Sequence, residues 1–100
     1  MEKGLTNITS ATDTILIDFD SQKGNINNIQ ISNNSSSNAV TISLFLSDGT
    51  TANNAYFVKN LILPVGVALF LNENVAFDDS VLKLVLTTAG TSPDVSVIIK

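Results

Sequence analysis

The chain has 100 residues, 44% apolar and 14% charged, with a formal net charge of −4, which suits one globular domain and argues against disorder or several lobes. Histidine, cysteine and tryptophan are absent and all five cations are lysines, so disulfides, thiol or imidazole catalysis and His/Cys zinc sites are excluded. No basic run offers itself to phosphates, and no apolar run approaches the roughly 20 residues of a membrane-spanning helix, so neither nucleic acid nor a bilayer is expected as a partner.

Residues 1–10 are polar apart from Met1, Leu5 and Ile8. They read as an N-terminal arm ahead of a domain at 11–100, with a short edge strand as the alternative. Met1-Glu2-Lys3-Gly4-Leu5-Thr6 lacks the basic and apolar features of a secretory signal, so synthesis in a cytoplasm is expected. Residues 12–19 form the first predicted strand, with Ile15, Ile17 and Phe19 on one face and Leu16 on the other. Residues 20–24 make a turn, and 26–32 a second strand with Ile29 and Ile31 inward. The polar run Asn33-Asn34-Ser35-Ser36-Ser37-Asn38 then closes a predicted hairpin onto the next strand.

That next strand is the anchor of the chain. Val40, Ile42, Leu44 and Leu46 fall on one side, and Thr41, Ser43, Phe45 and Ser47 on the other. Ser47-Asp48-Gly49-Thr50 ends it. Strands at 55–63 and 67–71 flank Pro64-Val65-Gly66, where proline presets the first central position of a tight turn. In the acidic connection 72–80, Val75, Ala76 and Phe77 tuck back under the sheet. A strand at 81–88 turns Leu82, Leu84 and Leu86 inward, and a closing strand does the same with Val95, Val97 and Ile99. Helical periodicity is absent. About seven strands punctuated by turns point to an all-β fold, a single small antiparallel β-sandwich of Greek-key or jelly-roll type.

The same alternation leaves Leu16, Phe45, Phe70, Val85 and Ile98 pointing outward, with Phe57 joining them if its strand keeps register. Outer faces of a sandwich are ordinarily polar, so these six residues are expected to meet another chain, in a homo-oligomer or on a larger assembly. A bulge that turns some of them inward is the competing account.

Chemistry is hard to find. Asp18 with Asp20, and Glu73 with Asp78 and Asp79, group carboxylates near turns, but without the spacing of a calcium loop. No nucleophile has a partner base, no glycine loop is built for phosphate, and no cleft is marked between two acids. The expectation is no catalytic, cofactor or metal residue, and no enzyme. Asn7-Ile8-Thr9 and the run Asn33 to Ser36 match glycosylation acceptors, and without an export signal, in so Asn- and Ser-rich a chain, chance explains them. A small carbohydrate-binding module is the other class considered; Tyr56 and the phenylalanines are the only aromatic faces it could use.

The order of parts carries a resemblance. A Ser/Asn-rich loop leads into Val-Thr-Ile-Ser-Leu-Phe-Leu at 40–46 and then Asp48-Gly49-Thr50. Tyr-Phe-Val-Lys-Asn-Leu-Ile-Leu-Pro-Val-Gly follows at 56–66, with Leu-Val-Leu-Thr-Thr-Ala-Gly at 84–90 and Val-Ser-Val-Ile-Ile at 95–99. Over residues 27–100 this resembles small β-sandwich proteins of tailed bacteriophage particles, particularly of marine phages. The resemblance implies a non-enzymatic virion protein, present in many copies. It would be a decoration or cement protein on the major capsid protein of the outer shell, or else a tail, neck, baseplate or fibre-attachment part.

Overall fold

The computed structural model describes residues 4–19, 25–26, 28–49, 54–71, 75–78 and 80–99. The secondary structure of the described residues consists of ten strands and their connecting turns. In chain order they are β1 (Gly4–Ile8), β2 (Asp13–Ile17), β3 (Asn25–Ile26), β4 (Ile29–Asn33), β5 (Val40–Ser47), β6 (Asn54–Leu63), β7 (Ala68–Leu71), β8 (Val75–Ala76), β9 (Lys83–Ala89) and β10 (Val95–Ile99).

Sheet A has the order β1-β10-β4-β7 and sheet B the order β2-β9-β5-β6, with β3 and β8 forming a separate two-stranded ribbon. All pairings are antiparallel. β5 pairs with β6, β4 with β7, β3 with β8, β2 with β9 and β1 with β10. The chain is thus one long antiparallel double ribbon, folded back on itself. Contacts of β10 with β4 and of β9 with β5 close the two sheets. This is the connectivity of an eight-stranded jelly roll. The β3·β8 ribbon lies on the path by which the double strand crosses from one sheet to the other.

Alternation decides what fills the space between the sheets. Ile29, Ile31, Val95, Val97 and Ile99 enter from sheet A, and Val40, Ile42, Leu44, Leu84 and Leu86 from sheet B, all fully or nearly fully buried. Each such side chain contributes about 1.5–3 kcal/mol when removed from water. Phe77, expected to tuck under the sheet, is half-buried against this layer.

β2 departs from the expected pattern. Ile15 pairs with Val85 and Ile17 with Leu84, so two steps on β2 match one on β9. The extra residue is Leu16. The bulge turns it inward, and Leu16 is 0% exposed in the core beside Ile17. Ile15 and Phe19, expected inward, are exposed instead.

The polar run after β4 is a crossing between sheets and not a hairpin, since β4 belongs to sheet A and β5 to sheet B. Asn33 organises it from a buried position. Its Nδ2 donates to Leu63 O at 2.9 Å and to Asn38 O at 3.0 Å, and its Oδ1 accepts from Ser35 N–H at 3.0 Å. Its backbone N–H donates to Val67 O, and its carbonyl accepts from Gly66 N–H. Ser35 Oγ in turn accepts the Ser37 and Asn38 N–H groups.

Asn33 thereby holds the β6–β7 turn as well. In that turn Val67 N–H donates to Pro64 O at 3.1 Å, so Pro64 stands one place earlier than expected and Val65 and Gly66 are central. Gly66 has φ +75°, the left-handed geometry that a type II turn requires at its second central position.

The segment at 4–8 takes the alternative of an edge strand. Gly4 to Ile8 pair in register with Ile99 to Val95, and Ile8 joins the core. Residues 1–3 and the predicted turn at 20–24 lie outside the described residues.

Two substitutions test these assignments by urea unfolding of the full chain. Leu16→Ala is expected to cost about 2–5 kcal/mol, the range for a buried leucine; a cost below about 0.5 kcal/mol would place the side chain at the surface. Asn33→Ala, which leaves the carbonyls of Leu63 and Asn38 without this donor, is expected to cost about 2–4 kcal/mol.

Candidate functional site

The six residues expected at an interface separate into four places. Leu16 is core. Phe45 and Val85 do point away from the core layer, but they are nearly buried, on the outer face of sheet B. Phe57 is 41% exposed on β6. Phe70 and Ile98 lie on the outer face of sheet A, where pairing brings them into one row. The set does not make a single surface.

On sheet A, Leu5 pairs with Ile98, Ile98 with Gln30 and Gln30 with Phe70, so the row crosses all four strands. Strand spacing puts its ends roughly 14 Å apart. Leu5 is 71% exposed and Phe70 57% exposed, while Ile98 and Gln30 are half-covered between them. The next outward row is Asn7, Ser96, Ser32 and Ala68. Neither row contains a charge. The sequence hid the place of Leu5, because nothing in its neighbourhood says that it lies opposite Ile98.

On sheet B, the outward row Ile15, Val85, Phe45 and Tyr56 crosses all four strands. The Phe45 and Tyr56 rings are 5.0 Å apart between centroids and tilted by 41°. Lys59 Nζ stands 4.9 Å from the Tyr56 ring centroid, and Lys83 Nζ 5.4 Å from that of Phe19. A groove of about 310 Å3 opens here, lined by Asp13, Ile15, Phe45, Ser47, Gly49, Asn54, Lys83 and Val85. Thr87 Oγ1 donates to Asp13 Oδ1 at 2.9 Å at one end, and Gly49 N–H donates to Ser47 Oγ at 3.1 Å at the other. Asn54 Oδ1 is buried without a hydrogen-bond partner, a condition costing about 1–3 kcal/mol.

β6, the outer strand of sheet B, carries two irregularities. Between the pairs Ile42–Leu61 and Leu44–Val58, three steps on β6 match two on β5, and between Leu44–Val58 and Phe45–Tyr56, two match one. Asn60 sits in the first with φ +54°, which Asn tolerates better than most residues. Its N–H donates to Ser43 Oγ at 2.9 Å. Phe57 occupies the second. There its ring stays partly in solvent, on an edge strand most of whose residues are exposed.

Of the acids grouped near turns, Asp20, Glu73 and Asp79 lie outside the described residues. Asp18 Oδ1 accepts from Phe19 N–H at 2.7 Å. Asp78 Oδ1 accepts from the Ser80 hydroxyl at 2.6 Å and the Ser80 N–H at 3.0 Å, and these two bonds hold its carboxyl below the usual carboxylate range. Among the described residues no group of three acids is placed to hold a metal ion. No helix among them is long and apolar enough to cross a membrane.

Comparison with protein-family models, curated proteins and solved structures gives no match.

If the sheet A row contributes nothing to the fold of the isolated chain, Leu5→Ser and Phe70→Ser should each change unfolding free energy by no more than about 0.5 kcal/mol. A loss of 2 kcal/mol or so in urea titration, the scale of a core truncation, would show that these side chains support the core.

Proposed function

We propose that this chain is a non-enzymatic structural protein of a tailed-phage particle, a decoration protein that binds the outer capsid shell in many copies. A jelly roll hosts many functions, so the fold alone does not choose among them. The observation that carries the reading is the pair of uncharged outward rows of sheet A, with Leu5 and Phe70 at the two margins. Apolar side chains left on an outer sheet face are stabilised when another surface covers them.

The dimensions of this face fit a repeated surface better than a free-standing pair. Four strands at about 4.8 Å and five residues at about 3.4 Å span roughly 300 Å2, against about 800 Å2 per partner in a stable binary complex. A shell presents the same site many times, and adjacent copies cover further area, so each contact is reinforced by its neighbours. The remaining outward positions of the face, Asn7, Ser96, Ser32, Gln30 and Ala68, are small or neutral, and their polar groups suit a wet contact. The partner in this reading is the major capsid protein.

Quantitative mass spectrometry of purified particles tests it. Hundreds of copies per particle are expected; about a dozen would move the protein to the neck, baseplate or fibre attachment, and none would reject a virion role. With particles in hand, Leu5→Asp combined with Phe70→Asp should weaken rebinding at least about ten-fold, the effect of setting two unpaired charges in a contact.

A further inference from the structure

We propose that the groove on the outer face of sheet B is a binding site for a neutral sugar ring, the terminal or internal pyranose unit of a glycan. A groove of about 310 Å3 stands at the small end of ligand sites and accommodates one ring of about a dozen heavy atoms.

Its chemistry narrows the class. Ile15, Phe45 and Val85 form an apolar floor, as the C–H face of a pyranose requires. Hydrogen-bonding groups stand around that floor on both sides of the donor–acceptor divide: the Asp13 carboxylate and Ser47 hydroxyl accept, and the Lys83 ammonium donates. Asp13 lies in the row of Thr87 and Lys83 four residues along β9, so their backbone positions are roughly 14 Å apart, one towards each end of the groove. With one charge of each sign, the lining has no net preference for an anion or a cation. A lipid chain would leave the polar groups unpaired, and a phosphate drawn to Lys83 would face the Asn54 Oδ1 acceptor of the same row and leave Asp13 without a donor. A neutral molecule with hydroxyls around its edge and C–H groups on its face satisfies both sets.

Asn54 adds an independent indication. Its Oδ1 is an acceptor with no donor, buried at the groove wall. The terminal torsion of Asn is soft, so a hydroxyl arriving in the groove can draw that oxygen out and pair with it. Exposed aromatic rings adjoin the groove on two sides. Tyr56 extends the row of Phe45, and the Phe19 ring lies close to Gly49 and under Lys83. Further sugar units can continue over either ring.

This proposal is independent of the particle reading, which rests on the opposite sheet. The test is a 1H–15N NMR titration of the full chain with glucose, galactose, mannose and N-acetylglucosamine to about 100 mM, since one ring is expected to bind with Kd on the order of millimolar. Saturable shifts confined to Asp13, Ile15, Ser47, Gly49, Asn54, Lys83 and Val85 are expected for at least one sugar. Asp13→Asn, nearly isosteric, should weaken that sugar at least about ten-fold by removing a charge-assisted acceptor, and Phe70→Ser should leave it unchanged. Absence of saturable shifts with all four sugars would overturn the proposal. So would shifts produced equally by sodium phosphate or tetra-alanine, or sugar binding that survives both Asp13→Asn and Lys83→Met.

Discussion

One constraint runs through the molecule: every strand of the two sheets must deliver side chains to a single aliphatic layer, and that layer receives no help from a disulfide. The layer holds sheet A against sheet B, and everything on the two outer faces is what alternation leaves over. The uncharged row on sheet A and the groove on sheet B are therefore consequences of the same arithmetic that builds the core. Neither could be moved without moving a buried isoleucine or leucine with it.

The strands with unbroken alternation were legible from residue order alone. Val40 to Ser47, Lys83 to Thr87 and Val95 to Ile99 have the faces that their sequence demands, because each pairs in central positions where one face has nowhere to go but the core. Irregularities were not legible. Leu16 reads as outward in any regular strand, and only a register shift against Val85 and Leu84 turns it inward. Phe57 and Asn60 lie where β6 gains residues relative to β5, and no local pattern announces such gains. An extra residue changes which face a side chain takes without changing its neighbours in sequence.

The outer surfaces were half legible for a related reason. Phe70 and Ile98 were recognisable as surplus apolar residues, but their alignment with Leu5 and Gln30 depends on which strands are neighbours. Pairing of residues at opposite ends of the chain is a property of topology. The groove on sheet B is legible only as separate parts, since Asp13, Asn54 and Lys83 come together from three strands. Asn33 makes the converse point. A run of Asn and Ser reads as a featureless loop, yet one amide in it binds two carbonyls and ties the β4–β5 crossing to the β6–β7 turn.

The edges of the sheets carry one more consequence. A protein present at high local concentration risks joining its copies strand to strand, because an open edge offers unpaired backbone groups to any passing segment. Here β1 and β7 are short, β2 is interrupted at Leu16, and β6, the longest edge, is broken twice and bears Lys59. None presents a long straight ladder for another chain to extend. The four edges are poor templates for strand addition, and the two outer faces remain the broad open surfaces of the sandwich.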